Sequence, residues 1–287
     1  MKTNGLVDVL TFSEKRRDAF LYLIDGPKTL DQIKTHLKVS TPEIQPRLKE
    51  LQAENMVEKV YDDYKLTQLG EIAAHYLKMF YETTNAIDRH KHFWNTHDLT
   101  TIPKEFLLRI KELNSCELVR LDDCNLCESH EEFIESVANS IYFKGATSIF
   151  IREWIYLFSE LSKERIPIEI IITPDIYKKI KKEYSEELEI GLQNPNARMY
   201  VCDEQRGFSF ATSKLLTDES FFSLSLNFKN DLGHDHKHDL ISFDWDAFKW
   251  GEDLFEYYKC RSTEIKSSQC SGSEFKTTLP LSLLIQQ

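Results

Sequence analysis

The sequence predicts an α/β chain, α+β overall: a small helical module ending in a β-hairpin, a long linker helix, and a larger α/β domain. Three observations lead there. Within the first 70 residues, two short helix patterns, each opened by a capping box, run into a hairpin pattern. Beyond residue 98, helix and strand patterns alternate. The charge is also unevenly shared: residues 1–70 hold eleven Lys/Arg and eleven Asp/Glu, so the whole net charge of −11 falls on the rest of the chain.

In chain order, residues 12–24 carry apolar positions at Phe12, Ala19, Phe20, Leu23 and Ile24, a helical spacing ended by Gly26-Pro27. Thr29 and Gln32 then form a capping box, with Leu30, Ile33 and Leu37 as the buried stripe. Ser40 and Glu43 form a second box, with Val39 and Ile44 as a hydrophobic staple and Pro42 in the first turn, where its missing N–H costs nothing. Ile44, Leu48 and Leu51 face inward. Two short helices joined by so short a turn form a helix-turn-helix. Residues 56–61 read as a strand, Asp62-Asp63 as a turn and residues 64–66 as the return strand, which makes a wing. Residues 71–95 read as one long helix with the apolar stripe Ile72, Tyr76, Leu77, Phe80 and Ile87.

The larger domain follows as helix 103–113, strand 117–121, helix 130–143, strand 148–151, helix 152–163, strand 166–173, helix 174–188, strand 197–202, strands 208–211 and 221–228, strand 240–243 and helix 244–259. Such alternation predicts a largely parallel sheet covered by helices, to which the strand-rich section after Cys202 can add antiparallel strands. The expected domains are 1–70, a linker and dimerisation helix 71–97, an effector-sensing domain 98–265, and a loose tail 266–287. Trp154, Trp245, Trp250, Tyr257 and Tyr258 read as core.

Hydrophobic residues at 41% and charged residues at 29% fit a globular protein with cores. Neither an apolar run of about 18 residues nor a signal-peptide pattern is present, so the expectation is a cytoplasmic protein with no membrane partner. An acidic body is repelled by phosphates, so only the neutral N-terminal module can approach double-stranded DNA. Its candidate contacts lie on the outward face of the second helix: Gln45 and Lys49 for base edges, Thr41 near its start, with Arg47 on the flank and Lys65 on the wing for phosphates. The competing reading is a protein-binding winged helix with ordinary solvated side chains.

Two clusters carry alternative chemistry. Cys116, Cys124, Cys127 and His130 offer soft ligands in one short run, and Cys124 with Cys127 a thiol redox pair. His234, His236 and His238 would share one face of a strand and converge on a metal, the basis of a metal-dependent hydrolase reading. The favoured reading has no cofactor and no catalytic residue.

The residues Ile44-Gln45-Pro46-Arg47-Leu48-Lys49-Glu50-Leu51 and Tyr64-Lys65-Leu66-Thr67-Gln68-Leu69-Gly70 resemble archaeal winged-helix regulators. The passages 97–103, 239–244 and Trp250-Gly251-Glu252-Asp253-Leu254-Phe255-Glu256-Tyr257-Tyr258-Lys259 resemble one branch of them, the methanogenesis regulatory (filament-formation regulator) family. The likeness spans nearly the whole chain to Ile265. It implies a sequence-specific transcription regulator of the one-component kind, a homodimer responding to an unknown small-molecule effector. The larger domain also resembles the phospholipase D-like sensor domains of other archaeal regulators, but contains no His-x-Lys-x-x-x-x-Asp motif.

Overall fold

The computed structural model describes residues 5–120, 140–150, 152, 155, 158–159, 166–204, 207–230, 233–235 and 237–266. The chain divides between Thr84 and Asn85 into two compact units.

The first unit holds α1 (Leu6–Thr11), α2 (Glu14–Tyr22), α3 (Leu30–Leu37), α4 (Thr41–Ala53) and most of α5 (Gln68–Arg89). Its antiparallel sheet, in the order β1-β3-β2, is built from β1 (Lys28–Thr29), β2 (Val57–Val60) and β3 (Asp63–Leu66). Phe20, Leu23, Ile33, Ile44, Leu48 and Leu51 form the core, as their spacing predicts. The helix expected over 12–24 begins later. Ser13 caps α2 by accepting from the Arg16 N–H, so Phe12 falls in the break behind α1 and is 80% exposed. Both α1 and β1 lie outside the sequence reading, being too short to show a period.

The Thr67–Gly70 passage explains itself in contact. The Thr67 hydroxyl donates to the Asn55 carbonyl (2.7 Å) and accepts from the Gly70 N–H (3.0 Å). A Cβ on Gly70 would stand 1.9 Å from the Met56 carbonyl oxygen, so the first turn of α5 closes over the β2 entrance only with glycine there.

The long helix expected over 71–95 is two helices. At His90 the backbone leaves the helical region (φ −119°, ψ 33°), and α6 (Lys91–Thr96) follows. The His90 ring is buried, with Nε2 2.8 Å from the Cys116 carbonyl, and the Trp94 indole donates to the Ala86 carbonyl (3.1 Å). These bonds hold the chain bent where a straight helix would carry Trp94 elsewhere.

The second unit continues with α7 (Lys104–Leu107), a 3₁₀ turn over Ile110–Leu113, β4 (Glu117–Arg120), β5 (Ser140–Thr147), β6 (Ile168–Ile172), α8 (Pro174–Glu183), α9 (Ser185–Leu192), β7 (Ala197–Val201), β8 (Phe208–Leu215), β9 (Ser220–Leu226), β10 (His238–Ser242), α10 (Trp245–Lys259) and β11 (Thr263–Ile265). Its eight strands run β11-β7-β6-β5-β8-β9-β10-β4. Among the described strands β5–β6 and β6–β7 pair in parallel, and the other five pairings are antiparallel. The largely parallel sheet read from the sequence is thus corrected to a mixed one. A parallel pair needs a long crossover, and the β8–β9 connection is too short for one.

Residues 140–143, read as the end of a helix, open β5, and the strand expected at 148–151 lies beyond its end. Ser140-Ile141-Tyr142-Phe143 is a β-branched and aromatic run that suits a strand better. The expected helix 103–113 is α7 plus the 3₁₀ turn, and the helix 174–188 breaks at Tyr184. Arg152, Ile155, Phe158 and Ser159 are helical, as the 152–163 reading has them.

Both faces of the sheet are covered. Ile168, Ile170 and Ile172 pack with Ile155, Phe158, Ile176 and Ile180 on one side. Ile171, Phe210, Phe222 and Leu224 pack with Phe106, Leu254 and Phe255 on the other. Trp250 lies in that second core and donates from Nε1 to the Phe106 carbonyl (3.0 Å). Gly251 beside it lets α10 lie close on the sheet, since a Cβ there would meet Thr212 Cγ2 at 2.5 Å. Trp245, read as core, is 58% exposed and stacks loosely on Phe248. It is the first residue of α10, where one side faces solvent.

Candidate nucleic-acid interface

Both capping boxes form. At the second, Glu43 Oε2 accepts from the Ser40 N–H (2.9 Å) and the Ser40 hydroxyl (2.8 Å). This fixes the start of α4, with Val39 packed against the core beside Ile44 as the staple requires. Lys15 on α2 binds the same carboxylate. These hydrogen bonds hold the Glu43 carboxyl down to about 2, led by the bond from Lys15 and followed by those from Ser40. Arg16 clamps the opposite side. Its guanidinium donates to the Val9 carbonyl, to the Asp8 carbonyl (3.1 Å) and to Glu50 on α4.

The outward face of α4 carries exposed Pro42, Gln45, Pro46 and Lys49, with Thr41 half-buried at its start. Pro46 stands inside the helix as its sixth residue and removes one bond of the hydrogen-bond ladder. Arg47 is half-buried and paired with Glu50 at 3.4 Å. Lys65 on the wing is paired with Glu58 across the hairpin at 3.0 Å. Lys49 is the exposed cation on this face, and no ion pair holds it among the described residues. The wing tip adds a residue the sequence reading passed over. Tyr61 is 94% exposed in a left-handed turn (φ 56°), and Lys59 lies over the Tyr64 ring. An aromatic at the centre of a two-stranded tip was the available signal.

The other candidate clusters are placed as follows. Cys124, Cys127, His130 and His236 lie outside the described residues. Cys116 is buried, and burial pushes its thiol up to about 12, a neutral core thiol at physiological pH. His234 Nδ1 is 3.0 Å from Asn227 Oδ1, whereas His238 Nδ1 is 2.8 Å from Asp235 Oδ2. Each imidazole thus has its own partner. Among the described residues no group of three or more His, Cys, Asp and Glu side chains stands ready to hold a metal ion. Asp235 was not among the candidates. It is 1% exposed and also takes His97 Nε2 at 3.0 Å.

Helix-turn-helix, sheet and wing define the first unit as a winged helix. The chain belongs to the family of the methanogenesis regulatory protein FilR1: residues 5–85 match that family's N-terminal domain and residues 126–261 its middle domain. It is 25% identical over 223 residues to the methanogenesis regulatory protein FilR1 of Methanothrix harundinacea (strain 6Ac), a match covering 76% of this chain and 48% of that protein. The chain therefore spans about half the length of this curated relative. Among solved structures, it is similar to TrmBL2, an archaeal chromatin protein described as showing a novel mode of DNA binding. That match has 13% identity and a TM-score of 0.37, covering 92% of this chain and 98% of the other. It is also similar to CalO1, a methyltransferase of calicheamicin biosynthesis, with 10% identity and a TM-score of 0.21, covering 69% and 77%. Neither score is high enough to carry a structural argument. No helix among the described residues is long and apolar enough to cross a membrane.

Proposed function

We propose that this chain is a cytoplasmic, sequence-specific transcription regulator that binds double-stranded DNA through α4 and the wing, acts as a homodimer without enzymatic activity, and answers a small-molecule effector in its second unit. One observation carries the reading: α4, opened by its capping box and clamped by Arg16, presents Gln45 and Lys49 outward, on a module whose charge is balanced while the rest of the chain is acidic. Gln45 offers the amide that pairs bidentately with adenine, and Lys49 a donor for guanine or phosphate. Arg47 and Lys65 reach phosphates by exchanging Glu50 and Glu58 for the DNA backbone, and Thr41 borders the same face.

The test is a titration of duplex DNA carrying the chain's own promoter, at several salt concentrations. Affinity should fall steeply with salt, as counterion release requires. Lys49→Glu should weaken binding by about tenfold or more, whereas Lys178→Glu, on the exposed surface of α8, should change it much less. Equal losses for the two variants would refute the assigned face.

A further inference from the structure

We propose that the second unit binds a small organic anion in a cavity at the C-terminal end of α6. Its role as the effector rests on the regulator reading above; its binding does not. The cavity measures about 470 Å³, within the range of small-molecule sites. His92, Asn95, Lys229 and His238 bring polar groups to it, and Phe228 and Leu118 apolar surface.

The charge of the lining sets the ligand class. Among the described lining residues the carboxylate is Asp235, and it is saturated: Oδ2 takes His97 Nε2 and His238 Nδ1, and Oδ1 accepts the Lys237 N–H at 2.8 Å. Those hydrogen bonds outweigh the desolvation that opposes them and leave the carboxyl below the usual carboxylate range. His97 is bound into the same wall: its Nε2 lies 3.0 Å from Asp235, its Nδ1 2.8 Å from the Phe93 carbonyl and 3.1 Å from the Thr96 hydroxyl, and its ring lies between Phe93 and Phe228.

What remains to meet a ligand is Lys229, with the outer edge of His238. The His238 Nδ1–H donates to Asp235, so its Nε2 accepts in the neutral ring and donates to an anion when the ring carries both protons. Lys229 Nζ uses one of its hydrogens on the Asn95 carbonyl at 2.8 Å. A carboxylate or phosphate satisfies these groups, and an apolar body covers Phe228 and Leu118. A cation would meet Lys229, and among the described lining residues the carboxylate is already bonded.

The site also lies on a seam. The Lys229 N–H donates to the Thr96 carbonyl (2.9 Å), and the Asp98 N–H to the Asn227 carbonyl (2.9 Å), joining α6 to the exit of β9. An anion held by His238 and Lys229 tightens that seam directly after α5 in the chain.

The experiment uses the full chain and four probes of similar size: benzoate, phenyl phosphate, benzyl alcohol and benzylamine, followed by calorimetry and thermal shift. The two anions should bind and raise the melting temperature, and the neutral and cationic probes should not. Preference for phenyl phosphate identifies a phosphorylated effector; preference for benzoate identifies a carboxylic acid. Lys229→Met and His238→Gln should each weaken anion binding by about tenfold. If His238→Gln fails to fold, Lys229→Met alone decides. Benzylamine binding as tightly as the anions, anion binding that survives Lys229→Met, or no binding by either anion would overturn the proposal. Promoter titration is read separately, so loss of anion binding with DNA binding intact defeats this site and not the regulator reading.

Discussion

Glu43 stands at the surface in the first turn of α4, yet its carboxyl is held down to about 2 by Lys15 and Ser40. The folded value lies below the ordinary 4.5, so these bonds stabilise the fold above that pH, and the contribution fades as pH falls toward 2. Thermal unfolding followed by circular dichroism should show wild type ahead of Glu43→Gln by a constant margin above pH 5. That margin should shrink between pH 4.5 and about 2; a margin that does not change with pH would mean the carboxylate plays no such part. The thiols divide by burial in the same way. Cys260 is exposed, whereas Cys116 and Cys202 are buried, with Cys116 pushed up to about 12. Iodoacetamide followed by peptide mapping should label Cys260 in the native protein, and Cys116 and Cys202 only in denaturant. Native labelling of Cys116 would contradict its place in the core. At this scale the sequence is legible where chemistry is local. Ser40 and Glu43 are three residues apart, and Gln45 and Lys49 share a helix face. The Asp235–His97 bond joins positions 138 apart, and no local pattern announces it.

Caps, staples and glycines decide where elements begin and how closely they lie, and two glycines make this measurable. Alanine normally favours a helix over glycine by about 1 kcal/mol. At Gly70 and Gly251 the sign should reverse, because a Cβ would strike the Met56 carbonyl in one case and Thr212 and Phe222 in the other. Overpacking of this kind costs about 1–3 kcal/mol. Urea denaturation should show both Gly70→Ala and Gly251→Ala less stable than wild type; a gain in either would mean the close approach is relaxed in solution. The same contacts account for the glycines in the Leu66–Gly70 and Trp250–Gly251 passages. Each records a backbone approach that only glycine permits. Strand direction was not recorded in this way. An alternating or β-branched run reads the same in parallel and antiparallel partners; the antiparallel sense of β8, β9 and β10 was legible instead from the strand-rich stretch after Cys202, which shows no helix pattern to carry a parallel crossover. The bend at His90 was hidden for a related reason: an apolar stripe continues through it, and only the buried bonds of His90 and Trp94 reveal the break.

For the whole molecule, the open question is what meets the outer face of α5. The apolar residues on this helix divide into two sets. Ala73, Ala74 and Leu77 turn inward to the winged-helix core, which moves Leu77 out of the stripe expected from the sequence. Leu69, Ile72, Tyr76, Met79 and Phe80 are exposed, Tyr76 at 68%. Their spacing of three, four and three residues from Leu69 to Met79 is that of a coiled-coil seam, and a seam rich in Tyr, Phe and Met is the composition of a protein interface. A single recognition helix gains affinity when a dimer reads two half-sites about one helical turn apart. Light scattering at micromolar concentration should therefore give a dimer for the wild-type chain. Tyr76→Glu with Phe80→Glu should give a folded monomer, with promoter affinity at least about tenfold weaker and the preference for an inverted repeat lost. A wild-type chain that stays monomeric and binds one asymmetric site at full affinity would refute the dimer, and would leave the α5 stripe without a partner of its own kind.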